Sequence, residues 1–181
     1  METLRITKAD LNERNEYTRS RDLEFEGHIE VEASLGQVGV LGFIRASGRL
    51  GIKAGSGIKA GSGIEAGWGI EAGEGIEAGS GIEAGWGIKA GSGIKAGSGI
   101  TCKAALTFRL RLFAGVCWWR EITEDEKTIT CGELRGGEVC YGIVKETGME
   151  ATADEEAPAP DLATRVAAIE ERLDAVEEEI A

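Results

Sequence analysis

The chain is poor in the residues that usually carry catalysis and metal binding. Among 181 residues there is one histidine, His28, and there are four cysteines, Cys102, Cys117, Cys131 and Cys140. The cysteines stand at long, irregular intervals with no Cys-x-x-Cys pair, whereas a zinc site usually shows closely spaced ligand pairs. Their even number would permit two disulfides, but nothing else points to an oxidising compartment. Cys102 and Cys131 alternate with Ile100 and Ile129, which reads as two reduced thiols buried as small hydrophobes. No Ser/His/Asp order, Cys/His pair, phosphate-binding glycine loop or clustered carboxylate motif is present. Neither metal nor cofactor is expected, and the expectation is a protein that is not an enzyme. No run approaches the roughly 18 apolar residues of a membrane span. Residues 1–12 are charged and lack the apolar core of a secretory signal, so the expected location is the cytoplasm.

Negative charge is plentiful but unevenly spread. Of the net charge of -12, residues 147–181 hold 11 acidic residues against Arg165 and Arg172, which leaves 21 acidic and 18 basic residues for positions 1–146. A nearly balanced body excludes a nucleic-acid mimic, which would carry dense negative charge on its own face, and a salt-adapted surface. Arg109 and Arg111 form too small a basic face to argue nucleic-acid binding.

What the chain has in abundance is glycine, in strict order. Residues 51–98 read as eight hexapeptides of the form Gly-Ile-(Lys/Glu)-Ala-Gly-(Ser/Trp/Glu), with isoleucines from Ile52 to Ile94 and alanines from Ala54 to Ala96. Ile and Ala two residues apart share one face of a short strand, and the charged residue between them takes the other. The Gly-X-Gly that follows reads as a corner, since glycine tolerates turn conformations closed to other residues. Glycine at two positions in six, at up to about 1 kcal/mol each, excludes a helix. The absence of glycine at every third position excludes collagen. A flexible linker would not need an isoleucine every six residues.

A second period, of three hexapeptides, lies over the first. Trp68 and Trp86 are separated by it, and the charged positions taken at the same interval give Lys53–Glu71–Lys89 and Lys59–Glu77–Lys95, with Glu65 and Glu83 on a third face. Opposite charges about 4.8 Å apart on neighbouring strands stabilise one another. Three hexapeptides per coil therefore predict an all-β, triangular parallel β-helix, a β-solenoid with eighteen residues in each coil and of unassigned hand.

The expected organisation has five parts. Residues 1–22 form an N-terminal cap and 23–100 the β-solenoid, in which Leu23/Phe25, Ile29/Val31 and Leu41/Phe43 keep the in-out-in spacing, Leu35 keeps the six-residue step, and the register slips near 46–50. Residues 101–146 form a β-rich cap or distorted continuation, with Leu106, Phe108, Leu110 and Leu112 on one face of a longer strand. Residues 147–161 form a flexible acidic linker. Residues 162–181 form a helix N-capped by Asp161, with Leu162, Val166, Ile169, Leu173, Val176 and Ile180 as a heptad seam. A helix of that length is marginal alone, so the seam predicts a homo-oligomer joined through a coiled coil.

The regular hexapeptide resembles the left-handed β-helix of hexapeptide-repeat proteins, many of which are acyltransferases. It departs from them where they usually keep a small inward residue four positions after the aliphatic one. Here that place holds Ser56, Trp68, Glu74 and Trp86. The in-out-in pattern, as in Gly27-His-Ile-Glu-Val-Glu32, also looks like bactofilins, the polymer-forming triangular β-helices of the bacterial cytoskeleton. Hexapeptide acyltransferases use a histidine base at a subunit boundary. His28 precedes inward Ile29 and should face solvent, so it reads as a surface residue.

Two functions follow as expectations, ahead of a third, an acyltransferase, which would need His28 for turnover. One is a non-catalytic scaffold that assembles through its tail. The other is a protein-binding inhibitor or adaptor, for example one encoded by a phage against a host defence. Its surface would be the exposed Trp68 and Trp86, stacked one coil apart, with Glu65, Glu71, Glu74 and Glu83 beside them. Neither nucleic acid nor a membrane is an expected partner.

Overall fold

The computed structural model describes residues 1–117 and 120–148. Trp118, Trp119, the acidic linker from 149 onward and the whole 162–181 heptad segment lie outside the described residues, and so do the seam positions Leu162, Val166, Ile169, Leu173, Val176 and Ile180.

Parallel strands stacked coil upon coil make a β-solenoid. The first column runs Thr3–Ile6, His28–Val31, Leu50–Ile52, Ile70–Ala72, Ile88–Ala90, the first half of Ala105–Ala114, and ends on the first half of Glu133–Tyr141. The second runs Gly36–Val40, Ser56–Ala60, Ile76–Ala78, Ile94–Ala96, the second half of Ala105–Ala114, and ends on the second half of Glu133–Tyr141. That ten-residue strand joins the two columns into one 11-stranded sheet. The third column is a separate 7-stranded sheet of Leu23–Phe25, Ile44–Ala46, Ile64–Ala66, Ile82–Ala84, Ile100–Cys102, Thr128–Cys131 and Ile143–Glu146.

Within the strict repeat each residue meets its equivalents three hexapeptides before and after. Ile76 lies between Ile58 and Ile94, Glu77 between Lys59 and Lys95, and Ala78 between Ala60 and Ala96. The isoleucines and alanines from Ile58 to Ala96 are buried. Burying one such isoleucine contributes roughly 1.5–3 kcal/mol, whereas an exposed ion pair contributes about 0–1 kcal/mol. The inward columns therefore hold the solenoid together, and the charges outside trim its register.

The glycines have a different cause from the one their turn position suggests. Among the repeat glycines only Gly55 has a positive φ, 71°. The glycine that follows each inward alanine from Ala60 to Ala96 is required by close approach: a Cβ on Gly79 would overlap the Gly61 carbonyl, 3.0 Å from its carbon, and one on Gly97 would stand 2.8 Å from the Gly79 carbonyl carbon. Each corner packs against the backbone of the corner one coil earlier, and a side chain there has no room.

The register slip falls later than the spacing predicts, and this corrects the first hexapeptide. Leu50, Gly51 and Ile52 align with Ile70, Glu71 and Ala72, two positions beyond the regular step. Ile52 thus occupies an alanine place, while Ala54 is exposed. The surplus pair is turned out at the corner within 53–55. Ser56, expected at an exposed corner, is fully buried and fastens this loop: its hydroxyl donates to the Glu32 carbonyl at 2.8 Å and accepts from the Leu35 N–H at 2.9 Å.

Two further inward assignments fail. Leu41 is 61% exposed and Phe43 half-buried, and the inward pairs are Val38/Val40 and Ile44/Ala46. Coils here are longer than three hexapeptides, since Leu23 lies opposite Ile44 and Val38 opposite Ile58, so a six-residue step misplaces the strands. Leu110 is 57% exposed because Ala105–Ala114 turns a corner there, with the Arg109 and Leu110 N–H groups both donating to the Ser92 carbonyl.

The N-terminal segment is part strand and part cover. Thr3–Ile6 pairs with His28–Val31, and residues 15–17 bond the edge of Gly36–Val40 through Tyr17 N–H to Gly39 O and Gly39 N–H to Asn15 O. Asp10, a buried residue of this cover, accepts from the Thr7 N–H and hydroxyl and pairs with Arg19. Residues 101–146 continue the same columns in irregular coils: Ile100 lies opposite Ile129, and Thr128 opposite Ile143.

Candidate functional site

The corner between the third and first columns carries both expected tryptophans. Each follows an inward alanine and the corner glycine, and each is close to half exposed, Trp68 51% and Trp86 46%. Their backbones form a ladder in which Trp68 N–H donates to Gly48 O, Trp86 N–H to Trp68 O, and Ala104 N–H to Trp86 O. The ring that meets Trp68 is that of His28, edge-on with centroids 5.2 Å apart. The Nδ1 of His28 accepts from the Arg49 N–H at 2.9 Å. The lone histidine thus braces an early corner, and it is partly covered rather than open to solvent.

The expected acidic neighbours divide into two groups. Glu65 and Glu83 stand on the third column, adjacent in register and on one side of the tryptophan corner. Glu71 stands on the first column, on the other side. Glu74 is not with them: it occupies the next corner, its N–H donating to Ser56 O and its carbonyl accepting from Ser92 N–H.

Two of the four, Glu65 and Glu71, are already paired. Arg45 Nε lies 2.9 Å from Glu65, and its guanidinium also reaches Glu24 at 3.1 Å. Glu71 takes Lys89 at 3.0 Å and also pairs with Arg49, and the bond from Lys89 holds its carboxyl below the usual carboxylate range. Glu83 lies between Glu65 and Thr101 and makes no ion pair among the described residues. The edge is therefore aromatic with mixed charge, not acidic.

Beside Glu65 and Glu83 runs a shallow groove of about 370 Å³ floored by Gly63, Gly81 and Gly99. A second, of about 510 Å³, lies on the second column between Gly75, Gly93 and the exposed Leu110. Both arise because glycine leaves a trough beside each outward row of charges.

The cysteines behave as buried hydrophobes where the alternation places them. Cys102 and Cys131 are buried, and all four thiols are free. Burial first, and then the neighbouring Cys131, pushes the Cys102 thiol up to about 12. Burial first, and then the Glu146 carboxylate, raises Cys131. A thiol so shifted is a poor nucleophile. Among the described residues no His/Cys/Asp/Glu group of metal-binding form occurs, and no helix is long and apolar enough to cross a membrane.

Ser56 and Glu146, which organise the loop and the last coil, were not legible as special; a buried serine in a repeat whose equivalents are exposed carries no local signal. Comparison with protein-family models, curated proteins and solved structures finds no match.

Proposed function

We propose that the protein is a non-catalytic scaffold: a three-walled rod with three hexapeptides to each regular coil, joined to an oligomerising helix at 162–181 with the seam Leu162, Val166, Ile169, Leu173, Val176 and Ile180. The observation that supports this reading is how the outward charges are used. Lys59, Glu77 and Lys95 pair with one another at 3.4 and 3.3 Å, and Arg45 and Glu71 are each shared between two partners. Side chains committed to neighbours in the next coil make a regular surface, which suits display and assembly rather than turnover. The rod is of the kind that bactofilins build, and the helix multiplies it. Removing residues 162–181 is expected to lower the mass measured by light scattering to that of a smaller species. A truncated protein that keeps the full mass would sink the reading.

The half-exposed tryptophan pair favours a second reading, an adaptor or inhibitor that docks a protein on the Trp68/Trp86 corner. Tryptophan is enriched at binding hot spots. A Trp68→Ala/Trp86→Ala double variant is then expected to lose a partner that the unaltered protein captures from a host lysate. Equal capture by both removes this reading.

A further inference from the structure

The two ends of the described solenoid are not alike. At the N-terminal end the inward Ile6 and Leu23 are 0% and 1% exposed, Leu4 and Phe25 are partly covered, and Tyr17 and Asp10 of the covering segment are themselves buried. At the C-terminal end the last coil aligns Leu134 with Leu106, Val139 with Leu112 and Val144 with Ile129, so all three point inward. Their column neighbours Leu106, Leu112 and Ile129 are 0% exposed, whereas Val144 is 37% exposed and Leu134 and Val139 are only partly covered. Tyr141 and Ile143, at 43% and 39%, add apolar surface to the same coil. Strands Glu133–Tyr141 and Ile143–Glu146 are the last in their sheets and have no partner on their outer edges among the described residues. A partly apolar end with unpaired edges is a template for another chain.

One residue breaks this pattern. Glu146 aligns with Cys131, in the inward column that elsewhere holds Ala66, Ala84 and Cys102. Its carboxylate lies over the end of the column and accepts from the Leu134 N–H at 2.7 Å. A second coil laid on this end would bury that charge without a counter-ion, which is costly, and an inward-pointing charge is a known means of blunting a sheet edge. We propose that Glu146 terminates the solenoid, keeping the C-terminal ends of two copies from docking on one another. The docking it prevents is end to end between like ends, because at the other end Ile6 and Leu23 are buried and residues 15–17 bond the Gly36–Val40 edge.

The test compares full-length Glu146→Val with the unaltered chain by sedimentation velocity over a concentration series. The variant is expected to reach at least twice the mass of the unaltered protein at matched concentration, and adding Val144→Lys, which returns a charge to the same end, is expected to restore the original mass. Unchanged mass in a variant whose circular dichroism shows it folded overturns the proposal. Should Glu146→Val lose its β signal, Glu146→Gln decides, since it keeps an acceptor for the Leu134 N–H and drops the charge: a rise in mass supports the proposal and an unchanged mass overturns it. The result is independent of residues 162–181, because both chains carry them.

Discussion

Glu71 bonds Lys89, three hexapeptides further on, at 3.0 Å, but on its other side it pairs with Arg49 and not with Lys53. Lys53 reaches back instead to Glu30, whose carboxyl it holds below the usual range. A double-mutant cycle on stability in urea is expected to give a coupling of about 0.5 kcal/mol for Glu71 with Lys89. For Glu71 with Lys53 the expected coupling lies within about 0.3 kcal/mol of zero. A larger Lys53 coupling would contradict the register.

The steric account of the corners predicts a contrast between two glycines. Gly79→Ala places a methyl against the Gly61 carbonyl, whereas a methyl at Gly51 meets nothing within 4 Å. Thermal or urea unfolding is expected to show a loss of about 2–4 kcal/mol for Gly79→Ala and a change within about 0.5 kcal/mol for Gly51→Ala. Similar effects at both positions would return the explanation to backbone torsion.

Thiol reactivity should follow burial. Cys140 is exposed, while Cys102 is buried with its thiol pushed up to about 12. At mildly alkaline pH a disulfide reagent is expected to modify Cys140 first and to leave Cys102 and Cys131 untouched until the protein unfolds. Fast labelling of Cys102 in the native protein would place that column wrongly.

The N-terminal cover should loosen in acid. The Thr7 N–H bond, with help from Arg19, holds the Asp10 carboxyl below its ordinary value. A depressed carboxyl stabilises the fold above its unfolded pKa of about 3.9 and loses that contribution as pH falls through the folded value. Asp10→Asn is therefore expected to lower stability by about 1–3 kcal/mol at neutral pH. The gap from the unaltered chain should close below about pH 4. Amide exchange at Thr7 and Thr18 reads it locally, and a gap unchanged by pH would refute the role given to the charge.

The inward rows were legible because alternation is a property of two or three consecutive residues. Ile76/Ala78 or Ile94/Ala96 needs no knowledge of the neighbouring coil to be read as buried. Leu41/Phe43 shows the limit of that reading: the spacing is right, yet Val38/Val40 is the pair that turns inward, since the longer early coils shift the phase. The tryptophan corner was legible from the three-hexapeptide spacing, and its charge was not. Glu65 and Glu71 read as acid until Arg45 and Arg49, from irregular coils, are brought beside them.

By itself the sequence determined the period, the face each repeat residue takes and the glycine columns, because these follow from side-chain alternation within a strand and from a repeat that is nearly exact. Only the tertiary structure decided which charge meets which, where the surplus pair within 53–55 is expelled, and how each end is finished. A partner in the next coil is fixed by the full length of chain around the coil. One surplus pair of residues on that path moves every contact that spans it, while leaving the local pattern of each strand unchanged.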